Sequence, residues 1–295
     1  MTEKGHYLFV PEREHIPAER QPSLLSPFRY PGGKSWLRGF ALDWLTALPY
    51  RPKVFIEPFA GGGSVGLAVA EFAMADEIHF IERDPDVAAV WKAALGSHCE
   101  RLCERVLGFR INRQNVRTAL ADVRPDLVSV AFRCLLRNRV QRGGILAPRA
   151  GLLRKGERNR GIRSRWYPKT LVSRLRKIHS LRDRIHFTQA DAMELLPKLL
   201  RRADVAFFLD PPYALNGSGP GLRLYRHAEV DHERLFAMLS AARGACLATF
   251  HPSAHIRRLA TRSGFHVSTK VMHTAHHRHR RELILRKPPR RTAPH

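Results

Sequence analysis

The feature that most constrains the fold is a short apolar run that leads through a glycine-rich turn and a helix into a second apolar run. Val54-Phe55-Ile56 precedes Glu57-Pro58-Phe59-Ala60-Gly61-Gly62-Gly63-Ser64, after which residues 65–74 have the pattern of a helix. The second run, Ile78-His79-Phe80-Ile81, ends at Glu82. This order is typical of a βαβ unit, which requires two parallel strands joined by a right-handed crossover. The sequence therefore predicts an α/β fold built on a parallel sheet.

The same alternation returns in the C-terminal half of the chain. Strands are predicted at 185–188, 205–209 and 245–250, with helices between them, and a hairpin of 265–272 and 282–286 closes the sheet. A block that is helical in pieces interrupts the sheet after its second strand. We predict an N-terminal arm (1–23), a main domain in two parts (24–97 and 181–287), an inserted domain (98–180) and a basic tail (288–295).

Basic side chains are concentrated in the inserted block. The whole chain has a formal net charge of +25, with 51 Lys and Arg against 26 Asp and Glu. Residues 101–180 hold 21 basic and 4 acidic side chains, a net charge of +17, whereas residues 1–100 have a net charge of −3. A surface that is merely solvated mixes both signs, so this block predicts a polyanionic partner, with nucleic acid as the first candidate.

Composition excludes several other classes of protein. With 44% hydrophobic residues the chain can bury a core, which excludes a wholly disordered basic protein. No apolar run reaches the ~18–20 residues of a membrane span, and residues 1–20 lack the apolar stretch of a signal peptide. The 4 cysteines form no CxxC pair and no Cys/His ligand spacing. We therefore expect a cytoplasmic protein with reduced thiols, no membrane association and no bound metal.

Two segments at predicted strand ends suit a nucleotide-like ligand. The turn at Gly61 to Gly63 would place backbone N–H groups at the carboxyl edge of the sheet, and Glu82 would accept hydrogen bonds from both hydroxyls of a ribose. The spacing is neither GxGxxG nor that of a P-loop, which disfavours a dinucleotide or a triphosphate. A glycine run is also compatible with a plain tight turn, so Glu82 is the residue that favours a ligand site.

The most specific motif is Asp210-Pro211-Pro212-Tyr213, directly after the apolar strand 205–209. Two successive prolines fix the backbone and remove two donors, so the carbonyl groups of Asp210 and Pro211 are free to accept hydrogen bonds. A carboxylate and a carbonyl beside the flat ring of Tyr213 suit a planar amine, with two acceptors for the NH₂ group and one surface for stacking. The exocyclic amine of a nucleobase fits this description.

A third turn lies near the N-terminus, in Tyr30-Pro31-Gly32-Gly33-Lys34. Its two glycines allow the backbone to approach a ligand closely, and Lys34 supplies a cation beside it. Alone, a Pro-Gly-Gly sequence is most often only a turn. The presence of the other two motifs favours a functional interpretation of this one.

Along the chain the motifs come in the order Tyr30–Lys34, Glu57–Ser64 and, after a long variable block, Asp210–Tyr213. This ordered set resembles the Dam-type family of DNA adenine-N6 methyltransferases. The resemblance covers about residues 24–287 and implies the class I S-adenosylmethionine-dependent fold, a Rossmann-like α/β sheet. It also implies that the inserted, mostly helical basic block is a DNA target-recognition domain and that the main domain is catalytic. Tyr30-Pro31 replaces the Trp-Ala that often begins the first motif of the family. The insertion does not resemble the version that reads GATC.

The resemblance further implies roles for individual residues. Glu57 and the glycine turn would contact the methionine part of the cofactor, Glu82 would hold its ribose, and Asp191 would reach its adenine. The residues expected to act on the target amine are Asp210, Pro211, Pro212 and Tyr213. The residues expected to bind S-adenosylmethionine are Tyr30, Gly32, Gly33, Lys34, Glu57, Phe59, Gly61, Gly63, Glu82, Asp191 and Asp210.

The implied reaction is direct transfer of a methyl group from S-adenosylmethionine to N6 of adenine in double-stranded DNA, as in restriction–modification systems. It needs no covalent enzyme intermediate and no metal. Because N6 is paired inside the duplex, the adenine must be flipped out of the stack. Arg can read guanine and Asn or Gln can read adenine. The expected DNA-binding residues are Arg137, Asn138, Arg139, Gln141, Arg142, Arg160, Arg163, Arg165, Arg223, Arg226, His276 and His277.

Two other functions are compatible with the same motifs. One is methylation of a different amine, N4 of cytosine or N6 of adenine in RNA. Asp rather than Ser before Pro-Pro-Tyr favours adenine, on the family resemblance alone. The other is a nucleic-acid-binding protein that has the methyltransferase fold without the activity, which the presence of all the acidic site residues disfavours.

Overall fold

A mixed seven-stranded sheet organises the chain. The computed structural model describes residues 22–29, 36–144, 146, 151–212, 230–273 and 279–290. Within these residues the sheet order is β3-β2-β1-β4-β5-β7-β6, with β1 to β5 parallel and β7 antiparallel to both of its neighbours. The strands are β1 (Val54–Glu57), β2 (Glu77–Glu82), β3 (Ile185–Gln189), β4 (Val205–Leu209), β5 (Ala245–Phe250), β6 (His266–His273) and β7 (His279–Lys287).

Helices cover both faces of this sheet. They are α1 (Trp36–Thr46), α2 (Ser64–Glu71), α3 (Pro85–Leu95), α4 (Cys99–Gly108), α5 (Arg113–Ala121), α6 (Leu127–Val140), α7 (Pro168–Ser180), α8 (Ala192–Leu199), α9 (His232–Ser240) and α10 (Ala254–Arg262). The strands predicted from the sequence are confirmed to within a few residues at each end. Among the described residues, no helix is long and apolar enough to cross a membrane.

The central strands are apolar throughout because both of their faces are covered. Every residue of β1, β4 and β5 is buried, as expected for parallel strands between two helical layers. One apolar cluster lies on the side of α2, α3 and α7, and a second on the side of α8, α9 and α10. At the edge of the sheet, β3 is mostly exposed, with only Ile185 buried and Phe187 half-buried.

The basic insertion (residues 98–180) continues the hydrophobic core of the sheet. Its buried side chains Leu102, Phe132 and Leu175 belong to the same cluster as Phe55 and Phe80 from the central strands. Helix α6 packs along α3, and α4 packs along α7. Burial of apolar surface therefore holds the insertion against the sheet. The helices that carry its arginines are fixed relative to the strands.

Candidate active site

The sheet order reverses direction between β1 and β4, and acidic residues cluster at that end. In an open parallel sheet, ligands bind outside the carboxyl ends of the strands at such a switch point. Glu57 and Glu82 are the last residues of β1 and β2, while Asp191 and Asp210 follow β3 and β4. The parallel register brings these four predicted residues to one edge of the sheet.

The glycine turn after β1 is shaped by the packing of Trp91. Gly61 and Gly63 have φ values of 46° and 57°, in the left-handed region that favours glycine. A Cβ atom on Gly63 would lie 2.8 Å from the Trp91 ring. Nε1 of Trp91 donates a 2.9 Å hydrogen bond to the carbonyl of Gly61. The turn thus presents bare backbone at the start of α2.

Glu57 is a buried carboxyl group beneath this turn. Its Oε2 accepts a 2.7 Å hydrogen bond from the backbone N–H of Gly66 in the first turn of α2. Burial, the largest cause, and the nearby negative charge of Asp210 together raise the pKa of Glu57 to about 8, while the hydrogen bond from Gly66 acts in the opposite direction. A carboxyl group in such surroundings gains its charge most easily when a cation is bound beside it.

Glu82 joins the glycine turn to the start of α3. Its Oε2 accepts from the N–H of Gly61 at 2.9 Å, and its Oε1 accepts from the N–H of Asp84 at 2.8 Å. Burial raises the pKa of Glu82, while these two hydrogen bonds and a third from the backbone of Arg83 act in the opposite direction. An ionised carboxylate has about four acceptor sites, so these backbone hydrogen bonds leave acceptor capacity for a ligand hydroxyl.

Asp191 lies at the end of β3 and forms an ion pair that the sequence did not reveal. It caps α8 by accepting from the N–H of Met193 at 2.8 Å, and its Oδ2 lies 3.0 Å from the guanidinium of Arg83. Arg83 directly follows Glu82. The pair therefore ties the ends of β2 and β3 together at the carboxyl edge.

Asp210 is oriented by a threonine on the neighbouring strand. Oγ1 of Thr249, a fully buried residue of β5, donates a 2.8 Å hydrogen bond to Oδ1 of Asp210. Pro211 is buried and Pro212 is half-buried. The only sequence signal for Thr249 is a hydroxyl residue inside an otherwise apolar strand.

Phe59 is the one remaining predicted cofactor residue that the structure describes. Phe59 is half-buried against the apolar cluster that includes β1 and β4. The predicted cofactor, catalytic and DNA-binding residues that lie outside the described part of the chain are Tyr30, Gly32, Gly33, Lys34, Tyr213, Arg223, Arg226, His276 and His277.

Four predicted DNA contacts are instead buried or paired within the protein. Arg137 forms a 2.9 Å ion pair with Asp86 of α3. Asn138 is fully buried, and Arg139, which is also buried, donates to the carbonyl of Pro27 at 2.6 Å. Gln141 is buried as well. These positions correct the prediction from the sequence, because Arg137, Asn138 and Arg139 join the insertion to the rest of the chain and Gln141 is buried.

Other predicted DNA contacts lie at the surface. Arg142, Arg160 and Arg163 are exposed, and Arg165 is half-buried with its Nε 3.4 Å from a carboxylate oxygen of Glu157. The three exposed guanidinium groups are the ones that a polyanion can reach.

Comparison with known proteins gives a family and a set of similar folds. The model of the D12 class N6 adenine-specific DNA methyltransferases matches residues 30–243. Among curated proteins, no sequence matches the chain.

Solved structures with a similar fold include several methyltransferases. One is the rRNA methyltransferase AviRa from Streptomyces viridochromogenes (15% identity, 92% of this chain and 94% of that chain, TM-score 0.42). A second is the precorrin-6y C5,15-methyltransferase from Geobacter metallireducens (14% identity, 86% and 87%, TM-score 0.39).

The sheet order, with its reversed β7, and the acidic strand ends define a class I S-adenosylmethionine-dependent methyltransferase. The chain belongs to the D12 class N6 adenine-specific DNA methyltransferase family, since the match covers most of its length. The resemblance inferred from the motifs is thus confirmed, and S-adenosylmethionine is the methyl donor. The residues fit this cationic cofactor, because Glu57 is a buried carboxyl group beside a second carboxylate, Asp210.

Proposed function

We propose that this methyltransferase modifies the N6 amine of adenine in double-stranded DNA, with the base flipped out of the helix. The observation that carries the proposal is the position of Asp210. It follows β4 at the switch point, Thr249 holds its carboxylate, and the two prolines come directly after it. The family match, which names adenine N6 in DNA, supports the same substrate.

Asp210 and Pro211 would act on the amine as hydrogen-bond acceptors. Hydrogen bonds from N6 to the Asp210 carboxylate and the Pro211 carbonyl would draw the nitrogen lone pair out of conjugation with the ring. The positive charge that develops on nitrogen would then face a fixed carboxylate. Removing one such preorganised partner costs about 100–1,000-fold in kcat in well-studied enzymes. When bound, S-adenosylmethionine supplies an electrophilic methyl group.

The insertion would bind the DNA through its phosphate groups. Flipping a base costs a few kcal/mol of unstacking and unpairing, which phosphate contacts elsewhere on the duplex can offset. Arg142, Arg160 and Arg163 are exposed on a block with a net charge of +17. Binding through such residues releases counterions, so the affinity would fall steeply with salt.

The substrate polymer is tested by comparing initial rates of methyl transfer from labelled S-adenosylmethionine. Duplex DNA, single-stranded DNA and RNA of the same sequence are assayed with the full chain. We expect the highest rate on duplex DNA. A higher rate on RNA would contradict the proposal and favour the RNA alternative.

Asp210→Ala serves as the control for the same assay. We expect it to abolish transfer to every polymer while S-adenosylmethionine still binds, as measured by calorimetry. Transfer at the rate of the unmodified protein would remove Asp210 from the proposed role. Absence of transfer by the unmodified protein, with cofactor and DNA both bound, would favour a non-catalytic nucleic-acid-binding protein.

A further inference from the structure

A cluster of three potential metal ligands lies on the sheet away from the switch-point edge. Within the described residues, Glu77, His79 and His186 form a group whose donor atoms all lie within 4.8 Å of one another. Glu77 begins β2, and His186 is the second residue of β3. None of the three takes part in the methyl-transfer site.

The backbone fixes this arrangement. His79 and His186 are directly paired in the parallel register of β2 and β3, so their side chains share one face of the sheet. Glu77 precedes His79 by two residues and therefore lies on the same face. The two imidazole rings are 4.8 Å apart between centroids. Three donors thus converge without any loop having to move.

The three donor atoms are close enough for one divalent ion to reach them all, although Glu77 and His79 are hydrogen-bonded to each other. Oε2 of Glu77 is 2.8 Å from Nε2 of His79 and 3.8 Å from Nε2 of His186. Zinc bonds of about 2.0–2.2 Å in a tetrahedron separate neighbouring donors by roughly 3.3 Å. The two observed distances bracket this value, so small side-chain rotations are enough.

We propose that Glu77, His79 and His186 bind a divalent transition metal ion such as Zn²⁺, with water as the fourth ligand. Two imidazoles and a carboxylate form a donor set that zinc prefers. The side chains are 50%, 31% and 51% exposed in that order, so solvent reaches the remaining position. This proposal departs from the expectation of no bound metal, because His186 lies 107 residues after His79 and only the sheet brings the two together.

The ion would stabilise the pairing of the edge strand β3 with β2. In the described part of the sheet, β3 pairs only with β2, and it leads directly into Asp191 at the cofactor edge. Joining His186 to His79 and Glu77 stabilises that pairing, since a ligand bound only by the native state shifts the unfolding equilibrium.

Metal titration of the full chain tests the site with readouts that do not depend on activity. Zn²⁺ is titrated by calorimetry, and Co²⁺ is followed by the visible absorption of its tetrahedral complexes. The variants are His79→Asn, His186→Asn and Glu77→Gln, with His255→Asn on α10 as the matched control. The His-rich segment 276–279 is present in every variant, so its contribution cancels in the comparison.

We expect each of the three variants to weaken this binding by at least about tenfold and to lose the Co²⁺ absorption. We also expect Zn²⁺ to raise the Tm of the unmodified protein and the control but not of these variants. The proposal is overturned if His79→Asn and His186→Asn, folded as judged by their metal-free Tm, bind Zn²⁺ with unchanged stoichiometry and affinity. All three side chains are at least partly exposed, which makes misfolding of all three variants unexpected, and Glu77→Gln preserves shape.

Discussion

The side-chain amide of Asn138 forms two hydrogen bonds with the backbone of Arg29, a residue 109 positions earlier in the chain. Oδ1 of Asn138 accepts from the Arg29 N–H at 2.8 Å, and Nδ2 donates to the Arg29 carbonyl at 2.9 Å. Nδ2 also donates to the carbonyl of Gly144 at 2.8 Å. Helix α6 of the basic insertion therefore positions the segment that leads directly into the Tyr30–Lys34 motif.

Replacement of Asn138 tests this connection. Asn138→Ala leaves the Arg29 backbone groups without these partners, which we expect to cost about 1–3 kcal/mol of unfolding free energy. Because Arg29 precedes the predicted cofactor motif, we also expect weaker S-adenosylmethionine binding. Denaturant unfolding and calorimetry measure the two effects, with the exposed Arg117→Ala on α5 as control. Unchanged cofactor affinity in Asn138→Ala would limit the residue to a role in stability.

The hydroxyl of Thr249 is expected to position the Asp210 carboxylate. Thr249→Val removes the donor while keeping the shape of the side chain. We expect kcat to fall about tenfold, equivalent to about 1.4 kcal/mol, with S-adenosylmethionine affinity unchanged. Thr249→Ser retains the hydroxyl and should recover most of the rate. Equal rates for Thr249→Val and Thr249→Ser would show that the hydrogen bond does not matter for turnover.

The buried Glu57 carboxyl predicts a pH dependence of stability. Its pKa is about 8 in the native state against an ordinary value of 4.5, so the native protein binds this proton more tightly than the unfolded chain. The contribution of protonated Glu57 to the free energy of unfolding is fully present below the ordinary pKa. It is lost as pH rises towards the native pKa. Between these values the loss approaches about 1.4 kcal/mol per pH unit.

Urea unfolding of the cofactor-free protein measures this dependence. Glu57→Gln cannot titrate, so the stability of the unmodified protein relative to Glu57→Gln should decrease between about pH 5 and 8. Taking the difference removes the contribution of Glu82, whose raised pKa acts with the same sign. Parallel pH curves for the two proteins would show that Glu57 is ionised in the native state.

Much of the site could be predicted from the sequence because its residues sit at the ends of parallel strands. Glu57, Glu82 and Asp210 each follow an apolar run, and parallel pairing alone brings such ends together. The Thr249 and Arg83 contacts depend on which strands are neighbours and how side chains turn, which no local pattern encodes.

The burial of Asn138 is a second feature that could not be predicted from the sequence. The stretch Arg137–Arg139 is polar and basic, which favours a surface position. The carbonyls of Pro27 and Arg29 supply buried partners that make burial possible. Those partners come from a segment more than 100 residues away, so only the tertiary structure shows them.

The exposed arginines of the insertion predict a specific salt dependence of DNA binding. Replacing both Arg160 and Arg163 with Ala should weaken duplex binding and lower the slope of log Kd against log salt by about one to two. S-adenosylmethionine affinity should not change. Arg258→Ala with Arg262→Ala on α10 removes the same charge outside the insertion and serves as control. Equal losses in both double variants would point to net charge alone rather than contacts by the insertion.

The most direct test of the account is the identity of the methylated nucleoside in duplex DNA. The DNA is incubated with the protein and S-adenosylmethionine, digested, and analysed by chromatography and mass spectrometry, in parallel with Asp210→Ala. The account predicts N6-methyladenine from the unmodified protein and none from the variant. N4-methylcytosine as the product, or N6-methyladenine formed equally by Asp210→Ala, would contradict it.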